Sequence, residues 1–280
     1  MGLTHSRWTL KTLLAVAADF IRPVSLSGFG KTLKAFGITK QRARSYVHSP
    51  DPEYDAKLAQ VLSCLEQARH GNAVVVFLDE FSYENHASVS HRFAPRREQP
   101  LAGLATGGTK TWRIVGTLDA LSGKVVHLQR KRISVPALVT FLKMLVAAYP
   151  EDTTIYVVLD NWPIHFHPDV LDAMVEQTTP FAFRIPQSWE QLKPSGKYSQ
   201  LKLPIQLVQL PTYASWLNPI ERLWKWLKAN LMHLHPFAFD FNELINQVDQ
   251  MLSLLANGSN EILSFVGLNN PTGIFAPANL

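Results

Sequence analysis

Cysteine is all but missing from this 280-residue chain, which has Cys64 alone. One thiol excludes an internal disulfide framework and leaves a thiolate zinc site short of ligands, which fits a reducing compartment. Long hydrophobic runs are missing too. The cleanest, "AVVVFL" at 73–78, falls far short of the roughly 20 apolar residues a membrane-spanning helix needs, so no membrane partner is expected. Acids are scarce at one end: residues 1–50 carry Arg7, Lys11, Arg22, Lys31, Lys34, Lys40, Arg42 and Arg44 against Asp19 alone. That asymmetry points to an anionic partner more firmly than the formal net charge of +5 does.

Near the start, "MGLTHS" matches a myristoylation pattern and "TLLAVAA" resembles a signal-peptide core. Asp19 interrupts the apolar stretch, and the spacing of Leu10, Leu13, Leu14 and Ala17 reads as a small amphipathic helix. With 46% hydrophobic residues the chain can bury a sizeable core, in one large domain with a small companion.

"GKTLKAFGITKQRARSY" has the outline of a helix-turn-helix, with a turn at Gly37 and a second helix capped by Thr39. Its second helix would offer Lys40, Gln41, Arg42 and Arg44 to phosphates or base edges. "SPDPE" at 49–53 breaks the pattern, and a linker helix follows with Leu58, Val61, Leu62 and Leu65 on one side. Beyond it, "AVVVFLDE", "ASVSHRF", "WRIVGTLDA" and "VVHLQRKR" read as strands, the last two joined by a turn at "LSGK". A helix over 136–149, a strand "TTIYVVLD", a helix over 168–177, a strand-like "FAFRI" and a last strand "IQLVQL" complete a mixed sheet covered by helices. Residues 236–280 add a helical extension.

Two buried strands end on acids, Asp79 with Glu80 and Asp160 with Asn161, while Glu221 opens the helix after the last strand. Each has a structural explanation of its own. Asp and Asn suit strand exits, and Asn218, Pro219 and Glu221 have the form of a helix cap and capping box. If instead the three acids converge, clustered carboxylates are best tolerated when they hold hard divalent cations. Asn218, Lys225 and Lys228 fall on the face of Glu221, so the same helix could meet a DNA backbone.

"VVVFLDE", "IYVVLDNWPIH" and "LPTYASWLNPIERLWKWLK" together resemble the motifs of the Asp-Asp-Glu (DDE) transposases of the mariner-like superfamily, in their bacterial insertion-sequence branch. The resemblance implies an α/β, ribonuclease-H-like mixed sheet flanked by helices over 71–235, behind a small N-terminal helix-turn-helix-like region at 1–50 and a linker helix at 51–70. By motif position, Asp79, Asp160 and Glu221 would be the catalytic, metal-binding triad, with Glu80, Asn161, His165 and Asn218 around them. Lys31, Lys34, Lys40, Arg42, Arg44, Lys225 and Lys228 would meet DNA. Two Mg²⁺ ions, replaceable by Mn²⁺, would serve cutting at element ends and joining of the 3′-OH to target DNA. A homodimer acting on DNA in the cytoplasm, associated with the nucleoid, is the expected setting. A zinc pair of His165 and His167 would lack further ligands. The Asp160 to Glu221 interval is longer than the family's, which reads as an insertion over 178–205. "RFAPRREQP" stands where the family has a Trp and a Gly, and the segment before the first strand is shorter than two successive DNA-binding subdomains. The competing readings are a ribonuclease-H-like nuclease or integrase that cuts without joining, and a DNA-binding protein without catalysis.

Overall fold

A computed structural model describes residues 8–22, 24–40, 49–71, 73–151 and 153–269. The chain divides into two compact units, Met1–Val47 and His48–Leu280. In the first, α1 (Leu10–Ala17) is opened by a Thr9–Thr12 capping box, and α2 (Leu26–Ala35) by the Ser25 hydroxyl accepting from Gly28 N–H. Gly37, at φ 74°, takes the left-handed turn that stops α2, and Ile38 N–H reaches back to Leu33 O at 2.9 Å. Thr39 and Lys40 follow outside any helix. The expected second helix, with Gln41, Arg42 and Arg44, lies outside the described residues.

The second unit is built on a five-stranded sheet in the order β3-β2-β1-β4-β5. Its strands are β1 (Ala73–Glu84), β2 (Thr111–Asp119), β3 (Val125–Arg130), β4 (Thr154–Leu159) and β5 (Ile205–Gln209). β1, β2 and β3 form an antiparallel meander, whereas β4 and β5 run parallel to β1. Strand alternation feeds two cores. Val75 and Phe77 of β1 enter one, shared with α3 (Tyr54–Arg69), α6 (Ile220–Leu227), α7 (Phe241–Ser253) and α8 (Asn260–Val266). Val76 and Leu78 enter the other, with α4 (Val135–Ala147) and α5 (Pro168–Asp172). Because α3, α7 and α8 all contribute to the first core, none of them is an appendage to the sheet.

Three expected elements differ. "ASVSHRF" forms no strand. Only Ser88 makes an isolated bridge to His233, and Val89 and Phe93 are exposed, so the alternation has no surface to cover. β1 instead runs on to Glu84 and supplies the third meander strand. "FAFRI" is irregular, because Phe183 stacks on Phe166 at 4.7 Å instead of joining a ladder. The helix expected over 168–177 ends at Asp172, where Val175 N–H turns to Leu203 O at 2.9 Å. Among the described residues no helix is long and apolar enough to cross a membrane.

Candidate active site

Asp79 lies on β1 opposite Gly116 of β2. β1 and β4 pair with Phe77 against Val158, and continuing that parallel register by two residues sets Asp79 beside Asp160. Asp79 follows Phe77 onto the α6 side of the sheet, by the same alternation. α6 buries Ile220, Leu223, Trp224 and Leu227 in the core, which fixes its rotation, with Glu221 partly buried in its first turn.

The cap reading of that turn is not what forms. Pro219 occupies the cap position and no side chain caps the helix. Buried Asn218 sends its Nδ2 to Leu78 O at 3.1 Å, tying the start of α6 to the residue before Asp79. Trp224 Nε1 donates to Asp79 Oδ2 at 3.0 Å. One helix thus carries Glu221 and grips β1 at two successive residues.

Electrostatics reports the same proximity. Burial pushes the Asp79 carboxyl up to about 8, with Glu80, Glu221 and Asp160 adding repulsion, against a backbone hydrogen bond that favours its charge. The three acids therefore share one neighbourhood. They are not drawn into a ligating cluster: among the described residues, no three His, Cys, Asp or Glu side chains are arranged to hold a metal ion. Other donors hold two of them, Trp224 on Asp79 and the Trp162 N–H on Asp160 Oδ1 at 2.9 Å. The donor set still fits a hard divalent cation, since all three groups offer oxygen and Asp79 is destabilised by the charge a cation would offset.

Glu80 stands on the opposite face of β1 from Asp79. Its Oε1 lies 2.8 Å from Nε2 of His165, which is buried in the short turn Pro163–Phe166. Burial pulls the His165 pKa down, but Glu80 and then Asp160 and Asp79 outweigh it, so the net shift is upward. His167 is occupied elsewhere, its Nδ1 accepting Asp169 N–H at 3.1 Å at the start of α5, so it forms no pair with His165. Asn161 Nδ2 reaches Leu210 O at 3.3 Å and holds the end of β4 to the loop after β5. Lys225 and Lys228 are exposed on and just beyond α6, and Lys31, Lys34 and Lys40 are exposed in the first unit.

Sequence reasoning passed over two parts of this site. Trp224 reads as one more member of an apolar stripe, although its position three residues after Glu221 places its indole N–H on the same side of the helix. "SPDPE" reads as a break, yet Asp51 and Ser49 hold the loop that leads to Glu221. Asp51 Oδ2 accepts Thr212 N–H at 2.8 Å and Lys57 Nζ at 2.9 Å, and Ser49 Oγ donates to Thr212 O at 2.6 Å. The sequence signal was the place of Lys57 four and eight residues before Val61 and Leu65, on the apolar stripe of the following helix, since an ammonium buried there requires a buried acid.

The sequence profile of the DDE superfamily endonucleases matches residues 74–245, the span that holds all three acids. The insertion element IS630 uncharacterized 39 kDa protein of Shigella sonnei is 25% identical over 236 residues, covering 84% of this chain and 61% of its own length. This chain therefore spans less than two thirds of that relative. Among solved structures, the Mos1 mariner paired end complex with Mn superposes with a TM-score of 0.59 at 13% identity, over 98% of this chain and 79% of that one. The catalytic domain of Mos1 mariner transposase gives 0.51 at 10% identity, over 84% and 94%. At such identities the likeness is one of fold, and it is the ribonuclease-H-like one.

Proposed function

This chain belongs to the DDE superfamily endonucleases, and from that premise we propose that it is a transposase, which cuts DNA at the ends of an insertion element and joins the freed 3′-OH to target DNA. The observation that carries the reading is the meeting of Asp79, Asp160 and Glu221, from two adjacent parallel strands and one helix, closely enough that the latter two raise the first. Two Mg²⁺ ions, or Mn²⁺ in their place, would supply charge stabilisation for in-line displacement at a phosphodiester. Asp79, Asp160 and Glu221 would hold them through oxygen.

The chain's own residues perform the positioning. Trp224 fixes one oxygen of Asp79, and Asn218 fixes the strand one residue earlier. In the first step water attacks phosphorus and the bond to the 3′ oxygen breaks, leaving a 3′-OH. In the second that hydroxyl attacks a target phosphodiester and displaces its 3′ oxygen. Lys225, on α6, and Lys228, just beyond its end, are exposed and fall by helical spacing on the side that bears Glu221, where a phosphate backbone would lie. Lys31, Lys34 and Lys40, with Arg42 and Arg44, would grip the element's end, and two ends brought together call for a homodimer. Such binding is expected to fall steeply with salt.

The test uses purified protein, Mg²⁺ or Mn²⁺, and labelled DNA carrying the sequences that flank the gene, beside folded Asp79→Asn, Asp160→Asn and Glu221→Gln. Metal-dependent nicking and joining by the parent, lost in all three variants, is the expected result. Nicking without joined product favours a nuclease. Binding without any cutting, or a variant as active as the parent, overturns the triad.

A further inference from the structure

A cavity of about 1050 Å³ opens between the start of β2, the residues after β3 and the start of α7, away from the three acids. Four cations line it, Lys110, Arg113, Lys131 and Arg132, all of them exposed. Among the described residues none of the four has an ion-pair partner. Arg113 also sits directly across from Arg130 in the β2–β3 register, a like-charge pairing that costs the sheet stability. The one carboxylate in the wall, Asp240, is engaged in capping α7 through Glu243 N–H. Fold stability gives no reason for this concentration of charge.

Aromatic rings are interleaved with it. Phe239 is 75% exposed, and Trp112 meets Phe241 edge-on at 6.3 Å, its enclosed Nε1 lacking a hydrogen-bond partner. We propose that this groove binds an unpaired strand of DNA, with its phosphates on the four cations and its bases on Phe239 and Trp112. A duplex keeps its base faces stacked inside, whereas an open ring among cations, as Phe239 is here with the half-buried Trp112 beside it, is the platform that single strands use. A run of packed rings beneath the surface links the groove wall to the acids. Trp224, bonded to Asp79, stacks on Phe81, which stacks on Tyr83, which meets Phe241 at the groove wall. Tyr83 pairs with Trp112 four residues along β1 from Asp79, about 13 Å at strand rise. The inference rests on the function proposed above for its setting, a strand displaced beside the cut, but binding is measurable without cutting.

The experiment measures anisotropy of a labelled, mixed-sequence single strand on the full chain in EDTA, over a series of salt concentrations. Lys131→Glu combined with Arg132→Glu is expected to weaken binding at least tenfold and flatten the salt slope. Phe239→Ala is expected to weaken it roughly fivefold with the slope kept. Lys143→Glu, half the charge change of the double variant at an exposed position of α4 across the sheet, is expected to change it less than about twofold. Groove variants that bind like the parent, or a Lys143→Glu loss as large as theirs, would each overturn the proposal. If the double variant unfolds, cross-linking of a bromouracil-bearing strand to the parent decides. Adducts on the peptides holding Trp112 or Phe239 support the groove, and adducts only elsewhere refute it. Groove-dependent binding by a protein that never nicks DNA would sink the transposase reading and leave the groove standing.

Discussion

The Trp224 indole N–H donates to Asp79 Oδ2 at 3.0 Å, so the helix that presents Glu221 also sets the orientation of the acid it faces. Trp224→Phe removes the donor and keeps an aromatic ring against Phe81, now stacked at 5.7 Å. The expected stability loss is about 1–3 kcal/mol, from the lost bond and the space the smaller ring leaves in the core. Cutting should fall far more, by roughly 10- to 100-fold, because a misoriented reacting group is costly. Nicking rates measured beside urea unfolding curves decide it: a stability loss with an unchanged rate would make the bond purely structural.

Gly116 is the β2 residue opposite Asp79, and its bare Cα is what lets the indole lie there. A Cβ at this position would stand 2.8 Å from Trp224 Cη2 and 3.3 Å from Cζ2, and the ring is only 3% exposed and has no room to retreat. Gly116→Ala is expected to cost about 1–3 kcal/mol by overpacking and to cut activity with it. In a Trp224→Phe background those two carbons are absent, so the same substitution should be nearly neutral. Equal costs in both backgrounds, read from denaturant midpoints, would remove the steric argument.

The strands that carry the acids are legible because "VVVFL" and "IYVVL" are apolar runs bounded by acids, and the α6 stripe because Ile220, Leu223, Trp224 and Leu227 recur at helical spacing. What stayed illegible depends on contacts between distant residues. Alternation in "ASVSHRF" imitates a strand, but only a facing layer makes alternation pay, and none covers Val89 or Phe93. Asn218 before Pro219 has the chemistry of a cap, yet its Nδ2 donates to Leu78 O, 140 residues earlier in the chain, which turns the side chain toward β1 and leaves Oδ1 capping no helix N–H. Local rules give the elements, whereas the register of β1 against α6 decides what the polar side chains do.

Glu80 is adjacent to Asp79 in sequence and on the other side of the sheet, where His165 holds it at 2.8 Å. Glu80→Ala leaves a buried imidazole without its partner and is expected to cost about 1–3 kcal/mol. Glu80→Gln retains an acceptor and should cost less than about 1 kcal/mol, with cutting far closer to the parent's than that of Asp79→Asn. A folded Glu80→Gln as inactive as Asp79→Asn would move Glu80 into the reacting group of acids.

Asp51 and Lys57 form a buried pair beneath the loop that delivers Glu221, with side chains 0% and 2% exposed. Burial alone would raise the Asp51 pKa, but the Thr212 N–H, the Lys57 ammonium and the Glu53 N–H outweigh it and hold the carboxyl well below the usual range. A depressed acid contributes stability that is complete above its unfolded value, near 4, and drains away as pH falls toward the folded one. Unfolding midpoints of the parent in urea should therefore drop below about pH 4, while Asp51→Asn should start lower at neutral pH and fall less steeply there. Lys57→Met strands the carboxylate and is expected to cost about 3–5 kcal/mol at neutral pH, with acid unfolding shifted to higher pH as Asp51 loses its cation. Because Thr212 depends on the same carboxylate, cutting should fall in Lys57→Met even at temperatures where it stays folded. An identical acid slope in parent and Asp51→Asn would show that the pair does not set the low-pH limit of the fold.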